Sequence, residues 1–140
     1  MRVTLSLARV AADAAMKKAQ EDGVSLSVSV VDGSGRMVLC YRGDGTAFYS
    51  TDTSFAKAVA AAAFRAPTSA MSNLHDGNMA FWGNVANAGM TPFLPSIGAL
   101  PIFVDGECIG AVGCGGAKSG EQDEACAQAA IDAVAQALEN

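Results

Sequence analysis

Basic side chains are scarce in this sequence: nine lysines and arginines stand against fourteen aspartates and glutamates, a formal net charge of -5. That balance excludes nucleic acid and anionic membrane as the main partner, because both require a basic face. An anionic ligand would have to be held by a local cation. Histidine is scarcer still, with His75 the single example. The four cysteines, Cys40, Cys108, Cys114 and Cys126, are widely separated and form no C-x-x-C pair, so neither a zinc site nor a disulfide framework is signalled. Buried, reduced thiols are the expectation. No apolar run reaches the length of a membrane span. The opening "VTLSLARVAADAAMKKAQ" places Arg9 and Asp13 where a signal peptide needs an unbroken apolar stretch, which points to a cytoplasmic protein.

What the chain does have is small apolar residues. Of its 140 residues 51% are hydrophobic and only 16% charged, so much surface is expected to be buried, in a core or between subunits. The length suits one domain spanning residues 1–140. Residues 4–22 read as a helix with Thr4 as N-cap, an apolar face of Leu5, Ala8, Ala12, Ala15, Met16 and Ala19, and Gly23 as its stop. "VSLSVSVVD" alternates Val24, Leu26, Val28 and Val30 with three serines, a strand with one apolar and one small polar face. "DGSG" at 32–35 is a hairpin turn leading into "RMVLCYR".

An alanine-rich helix is expected over about 53–65, capped by Ser50, Thr51 or Asp52 and closed by Pro67. Residues 72–98 form an irregular stretch that holds His75 and Trp82. A second hairpin turns at Asp105-Gly106, and a last helix starts at Ser119 with Gln122 in capping-box spacing. Hairpins alternating with helices predict an α+β fold, an antiparallel sheet with helices packed on it. "GAVGCGGAKSG" is glycine-rich but lacks both the G-x-G-x-x-G and the Gly-Lys-Ser/Thr arrangements, so a nucleotide site is not indicated.

Three ordered motifs, "VSVVDGSGRMVLCYRGDG", "FAKAVAAAAFRAPTSAM" and "LPIFVDGECIGAVGCGGAKSGEQDEACAQAAIDA", resemble the GlcG/HbpS family of haem-degrading (DUF336) proteins across essentially the whole chain. That family includes the C-terminal domain of PduO-type corrinoid adenosyltransferases. The resemblance implies a five-stranded antiparallel sheet flanked by helices, profilin-like or Roadblock-like, assembled as dimers or higher homo-oligomers. It also implies haem or another tetrapyrrole, corrinoid included, as ligand, and accessory work in catabolic operons. Lys57, Arg42, Asp44 and Gly45 are expected near one pocket at a subunit boundary, where two cations fixed by Asp44 would clamp a carboxylate or a propionate.

Several readings of the same residues compete. Lys57 would alternatively lay its stem over the core and pair with Asp52 or Asp44 in water. For a haem iron the candidate ligands are His75, Met71, Met79, Met90, Tyr41, Tyr49 and the cysteines, with Phe81 and Trp82 as an aromatic wall. The first helix lacks the histidine that ligates haem in some relatives. A metal-free enzyme acting on a small carboxylated metabolite would use Lys57 or His75 as base, Arg42 for the carboxylate and the N–H groups around Gly115 and Gly116 for an oxyanion. Cys114 would be either an activated thiol near a helix N-terminus or an inward-facing strand residue. A structural assembly subunit is the third class, with Ala125, Ala129, Ala133 and Ala137 spaced for helix packing across a symmetric interface.

Overall fold

The computed structural model describes residues 1–140, the side chain of His75 excepted. Helix α1, Leu5–Glu21, starts where Thr4 Oγ1 accepts the Leu7 N–H at 3.1 Å, and Gly23 ends it in the left-handed region at φ 69°. Strands β1, Ser27–Asp32, and β2, Met37–Arg42, form the first hairpin. Helix α2, Ser50–Phe64, follows, then α3, Thr68–Leu74, and the short helical segments α4, Met79–Trp82, and α5, Val85–Ala88. Strands β3, Ala99–Val104, and β4, Glu107–Gly115, make the second hairpin. Its turn holds Asp105 at φ 51° and Gly106 at φ 79°, the paired left-handed residues of a tight hairpin turn. Helix α6, Gly120–Glu139, is capped by Ser119, whose side chain accepts the Gln122 N–H at 3.1 Å.

The sheet runs β2-β1-β4-β3 and every pair in it is antiparallel. It has four strands, which corrects the five implied by the family resemblance. Apart from the two hairpins, the chain is helical or irregular. The segment between α5 and β3 holds Pro92 and Pro95, which lack the N–H groups that a strand ladder needs.

Helices α1 and α6 cover one face. Val28, Val30, Leu100, Ile102, Val112 and Cys114 project into it and meet the alanines of both helices, which are small enough to bring the two helices close together. Leu5, expected on the apolar face of α1, is 47% exposed; Leu7 takes its place in the core.

Helix α2 alone covers the opposite face, where the residues alternate to Ser27, Ser29, Val31, Ala99, Ala111 and Gly113. The small polar face of β1 is therefore buried. Ser29 Oγ lies 2.8 Å from Ser54 Oγ, and Ser50 Oγ donates to Ser27 Oγ at 2.8 Å. Ser50 thus spends its hydroxyl on the sheet instead of capping α2, which has no side-chain N-cap. Gly113 is required here. A Cβ at that position would run into the Ser54 carbonyl oxygen and lie 2.8 Å from the Ala58 nitrogen, so only a bare backbone permits this approach.

Candidate functional site

Lys57 belongs to the buried side of α2, not to an open cleft. Its Nζ donates to Asp123 Oδ2 and to the Cys114 carbonyl oxygen, each at 3.1 Å, and the residue is 7% exposed. Asp123 stands in the first turn of α6, in the layer beyond the sheet. The side chain reaches it beside Gly98, where a Cβ would lie 2.8 Å from Nζ and 3.0 Å from the Cys114 oxygen. Asp123 Oδ1 also accepts the Ala117 N–H at 3.1 Å. Burial raises the Asp123 pKa above its ordinary value, outweighing the attraction of Lys57 and the hydrogen bond from Ala117.

This geometry corrects the expected clamp. Arg42 donates to the Thr46 carbonyl oxygen at 3.4 Å, whereas Asp44 lines a cleft of about 460 Å³ with Asp13, Lys17 and Gln20 on the α1 side of the molecule. Neither forms a salt bridge with Lys57, whose acidic partner is Asp123 and not Asp52 or Asp44. Gly115 is buried, and its position faces Thr53 and Ser50 of α2, while Gly116, at φ 92°, faces Ser50 and Thr46. Cys114 is completely buried in the α1/α6 core, and burial pushes its thiol well above the usual range, with Cys126 and Asp123 adding to the rise. It is the inward-facing strand residue of the two readings. The readings of His75 as a ligand or base concern a side chain outside those described.

An aromatic surface runs along the outer side of α2. Tyr49, Asp52, Thr53 and Ala56 form one wall of a cleft of about 440 Å³, with Pro92, Phe93 and Leu94 as the other. Their spacing puts the first wall on one helical stripe, and the Leu94 N–H donates to the Ala56 carbonyl oxygen at 3.1 Å, which fixes the second wall against it. Beyond the cleft, the Phe64 ring sits 5.6 Å from Phe93, 5.3 Å from Trp82 and 6.2 Å from Phe81, measured between centroids. Trp82 thus stands in a cluster with Phe64 and Phe81. Phe48 and Tyr49, at an edge-to-face separation of 6.3 Å, extend this surface at the other end. The sequence reading had no local signal for Phe93 and Leu94. Their approach to α2 depends on a hydrogen bond to a residue far back in the chain.

The architecture defines an α+β protein whose four-stranded antiparallel sheet lies between one helix and a helix pair. A family model described as haem-degrading protein, HbpS-like, matches residues 3–132, and the chain belongs to that family. An uncharacterized 15.0 kDa protein from the dhaT–dhaS intergenic region of Citrobacter freundii is 32% identical over 130 residues, 93% of this chain and 90% of that one. The crystal structure of a double mutant of Streptomyces reticuli HbpS is similar with a TM-score of 0.86 and 32% identity, covering 94% of this chain and 86% of its own. A crystal structure of a PduOC–haem complex gives a TM-score of 0.85 at 27% identity, covering 95% of both chains. Among the described residues, no group of His, Cys, Asp and Glu side chains is arranged to hold a metal ion, and no helix is long and apolar enough to cross a membrane.

Proposed function

We propose that this protein binds haem in the cleft between the outer stripe of α2 and residues Pro92–Leu94. The observation that carries this reading is the cleft itself, a slot with an apolar second wall that continues into the Phe64, Phe81, Trp82 and Phe93 cluster. A flat macrocycle would bury apolar area there at roughly 25 cal/mol per Å². The volume lies within the usual range for a small-molecule site. Bound haem would supply an iron with open coordination positions. The residues of this chain supply the wall, the orientation and the exclusion of water.

Membership of the HbpS-like family and the haem complex of the PduOC relative support a haem-related ligand, and the choice of cleft rests on its shape and lining. The metal-free enzymatic reading has less support, because Lys57 and Cys114 are buried away from this cleft. A self-associating protein is part of the proposal: Phe48 at 72%, Met79 at 64% and Met90 at 105% exposure leave apolar surface for a second copy to cover.

A titration of the purified protein with ferric haem tests the reading, followed through the Soret band and through quenching of Trp82 fluorescence. Saturable binding at one haem per chain is expected, with affinity falling at least tenfold in Phe93→Asp. Binding that does not saturate, or that Phe93→Asp leaves intact, overturns it. Sedimentation of the apo and loaded forms reads the oligomer size.

A further inference from the structure

We propose that a second cleft, at the C-terminal end of α2, binds a small zwitterion, an α-amino acid with an apolar side chain, whose carboxylate lies on Arg65 and whose ammonium lies on Glu107. This site is independent of the haem reading, which concerns the other end of the same helix. The cleft holds about 590 Å³, and Arg65, Glu107, Phe103, Cys108, Ala62 and Gly33 line it. Phe103 pairs with Cys108 across the β3–β4 hairpin, so both side chains lie on one face of the sheet. Ala62, in the last turn of α2, borders them. The helix ends here, and Phe103, 51% exposed, is an apolar platform left uncovered.

Arg65 closes α2 in the left-handed region, at φ 53° and ψ 43°, with its backbone N–H donated to the Ala61 carbonyl oxygen. Glycine is the usual residue at such a position, because a Cβ makes the conformation unfavourable. This chain places an arginine there, and its guanidinium gives the fold nothing in return: among the described residues it forms no ion pair and donates no hydrogen bond. The Glu107 carboxylate, in the same cleft, is equally unpartnered among them. Opposite charges that share a cleft without bridging leave a gap for a molecule that carries both. The guanidinium fork takes a carboxylate through two parallel hydrogen bonds, Glu107 accepts from the ammonium, and the apolar side chain lies on the Phe103 ring. A simple anion would meet Glu107 and a simple cation would meet Arg65, so the pair selects against each. The Cys108 thiol is already engaged, donating to the Gly110 carbonyl oxygen at 3.4 Å.

Calorimetric titration of the full chain with three probes tests this: L-phenylalanine, 3-phenylpropionate, which lacks the ammonium, and 2-phenylethylamine, which lacks the carboxylate. Wild type should bind L-phenylalanine saturably at one per chain and each of the other two at least tenfold more weakly. Arg65→Gln and Glu107→Gln should each lose at least tenfold in L-phenylalanine affinity, whereas Glu107→Gln should bind 3-phenylpropionate no more weakly than wild type does. Arg65→Gly should lose L-phenylalanine binding while its thermal transition is no lower than that of wild type, because the strained Cβ is gone. Wild type that binds no L-phenylalanine, or does not prefer it to its two halves, overturns the proposal. So does Arg65→Gln that binds it unchanged, and so does Arg65→Gly that melts below wild type, which would give the arginine a structural task.

Discussion

Against α1 and α6 the sheet turns Val28, Val30, Ile102 and Val112, and the contact is apolar. Against α2 it turns Ser27, Ser29, Ala111 and Gly113, so close approach and hydroxyl pairs hold that helix. The first face can tolerate small shifts, because hydrophobic burial has no direction. The second cannot, because each hydroxyl pair and each glycine fixes one distance. This difference bears on function. A helix seated by small residues on its inner side keeps its outer stripe for another purpose, and that is where the aromatic cleft lies. The helix pair spends its alanines on closing the core.

The sharpest test of this contrast concerns the group that joins the two faces. Lys57→Met should cost about 3–5 kcal/mol, because it strands the buried Asp123 carboxylate, and Lys57→Met with Asp123→Leu should recover much of that loss. Urea denaturation reads both, and a cost below about 1 kcal/mol for the single change would show that the tie is dispensable. On the apolar face, Ile102→Ala should cost about 3 kcal/mol through cavity formation. On the hydroxyl face, Gly113→Ala should cost about 2 kcal/mol by overpacking against Ser54 and Ala58, even though it adds a methyl group. Gly77→Ala, whose Cβ would meet nothing within 4 Å, is the matched control. If Gly113→Ala proves neutral, α2 is not held by close approach.

Ser29→Ala should cost about 1 kcal/mol, since Ser54 keeps its bond to the Thr51 carbonyl oxygen. The smallest effect is a pH dependence. Asp123 has a raised pKa in the folded protein, so between its ordinary value of 3.8 and the raised one the folded state binds more protons than the unfolded state. Its contribution to stability therefore grows as pH falls through that window and is constant below it. The stability of wild type relative to Asp123→Asn should rise on acidification, as a pair of denaturation series at several pH values would show; an unchanged difference would mean that the carboxyl is not perturbed.

Local features of this fold were legible in the sequence. Thr4, Gly23, the Asp32–Gly35 turn, the Asp105-Gly106 turn and the Ser119 cap each depend on neighbours within a few residues, and each lies where the pattern puts it. The strand count came from a resemblance and not from the pattern, which itself contained only two hairpins. The site was less legible for a physical reason. The lysine in the alanine run advertises a charge but not its partner, and Asp123 lies 66 residues away beside a glycine whose role is to leave space. Tyr49 could be named as one donor among several.

The link between Lys57 and Asp123 also sets an order of events during synthesis. The chain through α2 and both hairpins can be made while the lysine ammonium still has no carboxylate to meet, because its partner belongs to the last helix to emerge. Closing that contact requires a long loop to be brought together, a slow step in chain entropy. The hydroxyl pairs between α2 and β1 can therefore form before the lysine finds its carboxylate. A chain cut short before residue 123 leaves the lysine unmatched beside Gly98.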